Sequence, residues 1–223
     1  MGKSEYRMGK PKNRWYYNVL LLISILLFIS ASLLSGERFE ESLLVSLFSS
    51  IVLLAATYTI QNRGRMLIYI AIGVIVLREG TTYLNLNQYI DTLASLANGG
   101  FFLYVVYHLV RQVARSKEVN LDVILESING YLLVGLSGSV LLALVYHIQE
   151  NAFAFASEGT KQLSEFIYYG FITLTTIGYG EITPISGMAR LLSIFTGIGG
   201  QLYIAIIIAT LVGKYLSQQT GNR

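Results

Sequence analysis

Five stretches of this 223-residue chain, each 19 to 23 residues long, contain no Asp, Glu, Lys or Arg. They are residues 15–36, 42–62, 92–110, 127–149 and 191–213. Each is long enough to cross the roughly 30 Å hydrocarbon core of a bilayer as an α-helix. Charged residues make up only 13% of the chain, and there is no Cys. The pattern predicts a membrane protein and excludes a long disordered chain and a secreted disulfide scaffold.

Two further apolar stretches complete the predicted fold. Residues 66–77 end at Arg78 and Glu79, so they span only if the helix continues to about Tyr83 with this pair at the interface or facing protein. Residues 166–180 are too short to cross and suit a re-entrant segment. The first stretch is too long for a signal peptide and lacks a cleavage site, so we expect it to stay uncleaved. The predicted fold class is an all-α membrane protein with six transmembrane helices and a re-entrant pore helix.

The basic residues set the predicted orientation. With six spans, twelve of the 16 Lys and Arg residues lie on the side of the N-terminus, together with four of the 13 Asp and Glu residues. Cytoplasmic loops carry such an excess of basic residues. We therefore expect both termini in the cytoplasm of a cell whose inner or plasma membrane holds the protein. The net charge of +3 then reflects topology and contact with anionic lipid, and no nucleic-acid partner is expected.

One hexapeptide carries the chemistry. Residues 175–180 read TTIGYG, between a short apolar helix at 164–175 and a long apolar helix at 187–216. Backbone at this depth is tolerated only where it lines a water-filled path, and Gly178 and Gly180 supply the unusual dihedrals that such a path needs. Four copies of the chain would form rings of carbonyl oxygens that replace the hydration shell of K⁺. The predicted K⁺ ligands are the backbone carbonyls of Thr176, Ile177, Gly178 and Tyr179 and the Thr176 hydroxyl. We expect the Tyr179 side chain to point away from the axis and pack on the pore helix.

On these residues the segment 127–216 resembles the tetrameric potassium channel family. The resemblance implies a homotetramer, bacterial in type, with selectivity for K⁺ over Na⁺ in a filter formed by Thr176, Ile177, Gly178, Tyr179 and Gly180. Thr175 is assigned to filter support. The family usually has Asp after the filter, where this chain has Glu181. That acid can bond an aromatic residue of the pore helix, for which Tyr168 and Tyr169 are the candidates, or it adds only negative charge at the outer mouth.

Three glycines mark the candidate gate. Gly197, Gly199 and Gly200 lie within four residues of the last helix, and either close packing or a hinge explains them. Gly200 matches the hinge glycine of the family. Below it, Ile204, Ile208 and either Leu211 or Val212 recur on one face, where four copies would form an apolar constriction. The same stretch also reads as a lipid-facing surface.

The predicted domain organisation has four parts. They are a cytosolic N-terminus with a four-helix peripheral domain at 1–116, an interfacial linker helix at 117–129, a pore domain at 130–216 and a short cytosolic tail at 217–223. Asn120 is the predicted N-cap of the linker helix, and Asn98, Gly99 and Gly100 are expected to interrupt the fourth span. That span carries no Arg or Lys between 92 and 110, so we expect little voltage dependence.

The predicted function is passive, potassium-selective conduction with no enzymatic activity and no cofactor besides the K⁺ ions in the filter. The alternatives are a membrane subunit of a K⁺ uptake system, a weakly selective cation channel and a nonconducting scaffold. Only ten residues follow Gly213, so we expect no cytosolic ligand-binding domain in this compact, prokaryotic type of chain. The expected gating input is then lipid, tension, pH or a separate regulatory protein.

Overall fold

Seven α-helices and one short pair of strands form the described part of the chain. The computed structural model describes residues 14–34, 41–60, 64–84, 88–116, 118–156 and 163–221. The helices are α1 (Arg14–Leu34), α2 (Glu41–Thr59), α3 (Gly64–Tyr83), α4 (Gln88–Arg115), α5 (Leu121–Ile148), α6 (Leu163–Leu174) and α7 (Gly187–Gly221). Strand β1 (Phe153–Phe155) pairs antiparallel with β2 (Ile182–Pro184), with Phe153 opposite Pro184 and Phe155 opposite Ile182.

Four helices of the described residues are long and apolar enough to cross a membrane. They are α1, α4, α5 and α7. Helices α2 and α3 have 19 and 20 residues. In α2 the apolar part with described side chains is only Ser49–Thr59, and α3 carries the charged pair Arg78 and Glu79. The described residues are therefore mainly helical and include four candidate spans, while six spans remain a prediction.

The start of α5 differs from the predicted linker. Asn120 does cap a helix, because its side-chain oxygen accepts a hydrogen bond of 3.1 Å from the Val123 amide. That helix does not end near residue 129 and continues to Ile148. No proline interrupts this stretch, and Gly130 is buried against the Tyr203 ring of α7, where a larger residue would not fit. The expected linker helix is thus the first turns of α5.

Helix α4 is also continuous where an interruption was expected. Asn98, Gly99 and Gly100 lie inside the helix Gln88–Arg115, so the predicted unwinding is wrong. A side-chain carbon placed on Gly99 would lie 3.5 Å from a Leu141 methyl group and 3.6 Å from one of Val140. Gly99 therefore lies on the side of α4 that faces α5, at ordinary van der Waals distance, while Gly100 faces open space.

Two apolar clusters position the chain around α5. The first contains buried side chains from each of the six helices α1, α2, α3, α4, α5 and α6, among them Leu21, Ile25, Val52, Leu67, Phe102, Leu136 and Ile167. The second joins α5, α6, α7 and the two strands through Leu142, Phe153, Phe166, Tyr169, Ile172, Ile182 and Ala189. Helices α1 and α4 thus pack on the α5 of their own chain, α2 and α3 pack on α1 and α4, and α6 is held between α5 and α7.

A buried polar network joins α1, α4 and α5 near the start of α5. Glu126 is fully buried and forms an ion pair with Arg14 of α1. Its Oε1 atom also accepts hydrogen bonds from Asn18 at 3.4 Å and from Gln112 of α4 at 2.5 Å. The Asn129 amide donates to the Asn18 carbonyl at 2.9 Å. A buried carboxylate needs such partners, because leaving it unpaired costs several kcal/mol.

Candidate ion-conduction site

The hexapeptide of residues 175–180 begins where α6 ends, at Leu174. Close packing against α5 fixes the end of α6. Gly135 of α5 lies against the Phe171 ring, with an added side-chain carbon only 2.7 Å from it, and Gly170 of α6 lies against the Ser139 side chain. Larger residues at either glycine would push the two helices apart. The sequence therefore places the start of the hexapeptide at a fixed depth relative to α5.

The backbone φ angle of the hexapeptide is positive at every second residue from Thr176 to Gly180. The φ angle is +62° at Thr176, +55° at Gly178 and +93° at Gly180, and among the described residues these three are the ones with positive φ. Alternation of left-handed and ordinary backbone turns successive carbonyl groups toward the same side of the chain. Glycine adopts positive φ without strain, whereas Thr176 costs about 1–2 kcal/mol there. Strain of this kind is typical of a functional segment.

The amide groups of this segment bond back to α6, while the carbonyl groups do not. The Thr176 amide donates to the Thr173 carbonyl at 3.1 Å, and the Gly178 amide donates to the Ile172 carbonyl at 3.1 Å. Within the described part of the chain, no hydrogen bond ends on the carbonyl oxygens of Thr176, Ile177, Gly178 or Tyr179. The four residues are exposed in the single chain, so burial does not require these carbonyl groups to have a partner there. These four oxygens are therefore a row of acceptors available to a cation.

The side chains of the hexapeptide lie open in a single chain. Ile177 is 54% exposed and Tyr179 is 72% exposed. The expected packing of Tyr179 on a pore helix is absent within one chain, so it would need the α6 of another copy. The Thr175 hydroxyl donates to the Phe171 carbonyl at 2.7 Å and thereby caps the end of α6.

Of the two tyrosines considered for Glu181, the structure brings Tyr168 to it. The Tyr168 hydroxyl donates a hydrogen bond to the Glu181 carboxylate, and this bond raises the pKa of Tyr168 to about 12. Tyr169 is buried and shares a hydrogen bond of 2.8 Å with the Ser193 hydroxyl of α7. The two tyrosines therefore have different roles, one beside the outer end of the hexapeptide and one between α6 and α7.

The strand pair holds the backbone of Glu181, which the sequence did not predict. The Ala156 amide donates to the Glu181 carbonyl at 2.8 Å, one residue beyond the β1–β2 pair. Phe153 and Phe155 of β1 both stack edge-on against Phe166 of α6. The alternation Phe-Ala-Phe was the available signal for β1. Three-residue strands are too short to stand out from their apolar surroundings.

Helix α7 shows why Gly200 is a glycine. A side-chain carbon at Gly200 would overlap the Leu174 carbonyl oxygen and lie 2.8 Å from a Leu174 methyl group. At Gly197 the same carbon would make ordinary contacts of 3.7 and 3.9 Å with Thr173, and at Gly199 nothing lies within 4 Å. Close packing against the end of α6 therefore accounts for Gly200, and the hinge at this position stays a prediction.

The lower half of α7 presents the predicted stripe to the outside of the single chain. Ile204, Ile208 and Val212, spaced four residues apart, are all exposed. Leu211 instead packs on a small apolar cluster of Val113, Val123 and Ile207. Val212 rather than Leu211 therefore shares the exposed face with the two isoleucines.

Comparison with known proteins addresses the same region. Residues 131–217 match the family model for ion channels. The match begins inside α5 and covers α6, the hexapeptide and α7 to Ser217. No curated protein and no solved structure matches the chain. Residues 131–217 are thus similar to an ion channel domain, and the apolar helices together with this match indicate a multi-pass membrane protein.

Proposed function

We propose that the protein is a potassium-selective channel formed by four copies of the chain. The observation that carries this proposal is the row of four carbonyl oxygens from Thr176 to Tyr179, none of which accepts a hydrogen bond in the described structure. Arranged around a common axis, four such rows give stacked rings of oxygens of the kind that replace the hydration shell of K⁺. K⁺ itself is the cargo, and the chain needs no further cofactor for this task.

The exposed side chains support assembly into a tetramer. A single chain leaves Ile177 and Tyr179 uncovered beside the filter and leaves Ile204, Ile208 and Val212 uncovered on α7. A fourfold arrangement gives Tyr179 the α6 of a neighbouring copy and brings the exposed face of α7 around one axis. Oligomers of identical chains close in this way when one surface meets a different surface of the next copy.

We also propose a six-span topology with both termini in the cytoplasm of a prokaryotic cell. Helices α2 and α3 have 19 and 20 residues, the length that a span needs. The bias of basic residues supports the orientation. Helix α4 has basic residues only near its end, at Arg111 and Arg115, so the voltage dependence should be weak. Lipid and a separate regulatory protein are the proposed partners besides K⁺.

Ion flux into liposomes tests the proposal. Purified protein should carry K⁺ and not Na⁺, and Ba²⁺ should block the flux. Gly178→Ala forces a side chain into positive φ, at a cost of about 1–2 kcal/mol per chain, and should abolish selectivity or flux. Gly187→Ala is the matched control, because Gly187 also has open space around it but has no positive φ.

The alternatives give different results in the same assay. A weakly selective cation channel would carry K⁺ and Na⁺ at similar rates. A membrane subunit of an uptake system, or a nonconducting scaffold, would give no passive flux. Either result would refute potassium-selective conduction by this chain.

A further inference from the structure

The inner end of α7 is attached to the end of α4 by one side chain. Lys214 Nζ donates to the Val113 carbonyl at 2.6 Å, to the Ala114 carbonyl at 2.8 Å and to the Ser116 hydroxyl at 3.2 Å. Lys214 and Val113 are 101 positions apart in the chain. This contact therefore joins the helix that carries the candidate gate to the last of the four peripheral helices.

The chemistry of the contact matches on both sides. The last carbonyl groups of an α-helix lack the amide partner four residues later that the other carbonyl groups have, although Ser116 donates to the Val113 carbonyl from its amide at 3.2 Å and its hydroxyl at 2.8 Å. They also carry the negative end of the helix dipole, which favours a cation. A lysine ammonium has three hydrogen-bond donors and no acceptor, and the structure uses all three. Lys214 is thus a C-terminal cap for α4 that comes from a different helix.

The end of α4 is also attached to α2 and to α5. Gln112, just before Val113, donates to Glu126 of α5 at 2.5 Å and to the Thr59 carbonyl of α2 at 3.4 Å. Val113 itself is fully buried with Val123 of α5 and Ile207 of α7. A displacement of α4 relative to α5 would therefore move the end of α4, and the hydrogen bonds from Lys214 would transmit that movement to α7.

The position of Lys214 along α7 gives the contact its consequence. Lys214 follows the exposed stripe of Ile204, Ile208 and Val212, the candidate constriction, by two residues. We propose that Lys214 couples the peripheral helices α1–α4 to the inner end of α7 and thereby sets the equilibrium between open and closed pores. This inference rests on the proposed channel function, and it goes beyond it by naming the connection through which the peripheral helices act.

A cysteine variant allows the contact to be removed and then restored. The chain has no Cys, so Lys214→Cys introduces a unique thiol. Alkylation with 2-bromoethylamine converts that thiol to a side chain of nearly the length and charge of lysine, whereas iodoacetamide adds a neutral group. Gln218→Cys, one turn later on α7 and half-buried, is the matched control for both reagents. Single-channel recording in planar bilayers measures the ratio of open to closed time.

We expect Lys214→Cys to change this ratio by about tenfold or more, the effect of losing at least one charge-assisted hydrogen bond per pore. Aminoethylation should return the ratio to within about twofold of wild type, and iodoacetamide should not. Neither reagent should change the ratio of open to closed time in the Gln218→Cys variant. An unchanged ratio in Lys214→Cys would overturn the inference, and so would a change that aminoethylation leaves in place.

A second measurement does not depend on conduction. The Ser116 amide donates to the Gln112 carbonyl at 3.0 Å, so it reports on the end of α4 in hydrogen exchange. Lys214→Cys should speed exchange in peptides that contain Ser116, and aminoethylation should slow it again. Absence of wild-type K⁺ current would refute the proposed function, and the exchange measurement would still decide whether Lys214 holds the end of α4. Exchange that is the same in all forms would overturn it.

Discussion

Replacing Gly200 by Ala distinguishes packing from a hinge in α7. The added carbon would overlap the Leu174 carbonyl oxygen, which belongs to the backbone and cannot rotate away, and it would crowd two Leu174 side-chain carbons at 2.8 and 2.9 Å. Overpacking of this severity costs about 3 kcal/mol. The gain in helix propensity from Gly to Ala offsets about 1 kcal/mol of that cost. The net loss is therefore about 2 kcal/mol per chain.

Gly199→Ala is the matched control for this prediction. Nothing lies within 4 Å of a side-chain carbon at Gly199, so the same substitution keeps only the gain of about 1 kcal/mol. Thermal unfolding in detergent, followed by circular dichroism, should show Gly200→Ala melting about 4–8 °C below wild type and Gly199→Ala slightly above it. Because Leu174 directly precedes the hexapeptide, Gly200→Ala should also reduce the preference for K⁺ over Na⁺.

A different result would refute the packing argument. If Gly200→Ala melts with wild type and keeps its selectivity while its open time falls, Gly200 acts as a hinge. The space beside Leu174 would then be larger during opening than in this structure.

Three further predictions follow from single contacts. Tyr168→Phe and Glu181→Ala should each alter the open-channel lifetime, and the double variant should match the single variants, while Tyr169→Phe should instead lower thermal stability because its bond to Ser193 is lost. The pKa of Tyr168 is raised from 10.0 to about 12, so its bond to Glu181 should persist below pH 10 and be lost as pH rises through about 12. Open-channel lifetimes recorded at pH 7 and pH 9 should therefore agree. Glu126→Ala removes the buried carboxylate that Arg14 and Gln112 contact, and it should lower the free energy of unfolding by about 3 kcal/mol. Glu118→Ala, at an exposed position, should lower it by under about 0.5 kcal/mol, and equal melting temperatures of the two variants would contradict the network. Gly130→Ala would collide with the Tyr203 hydroxyl and should destabilise by about 1–3 kcal/mol, and adding Tyr203→Phe should recover part of the loss; additive effects in this cycle would show that the two residues do not touch.

The long apolar helices and the hexapeptide were accessible from sequence because their signals are local. Runs without charge predicted the positions of α1, α4, α5 and α7, although α5 begins six residues before its run and α7 ends eight residues after its run. Asn120 was predicted to cap a separate linker helix, and in the structure it caps α5. The region 131–217 that matches the ion channel family model includes α6, TTIGYG and α7 as far as Ser217. A local sequence pattern is sufficient to predict a spanning helix, because such a helix forms all of its backbone hydrogen bonds within itself.

The missed features depend on pairs of residues far apart in the chain. Gly200 packs directly against Leu174, and neither residue alone predicts that contact. Gly99 was wrongly predicted to interrupt α4, because the residues that it contacts lie on α5. Lys214 counted only as a cytoplasmic charge until the structure placed it at the end of α4. The positive φ of Thr176 was also unexpected, because threonine rarely adopts it. Such contacts belong to packing, which composition and periodicity do not encode.

The most direct test of potassium selectivity is the reversal potential of single channels with K⁺ on one side of the bilayer and Na⁺ on the other. Each tenfold preference for K⁺ shifts this potential by about 59 mV. A filter of four carbonyl rings predicts a shift larger than about 59 mV in the direction that K⁺ flow dictates. A reversal potential near zero would show that the pore does not distinguish the two ions and would contradict the assignment of residues 176–180 as a potassium filter.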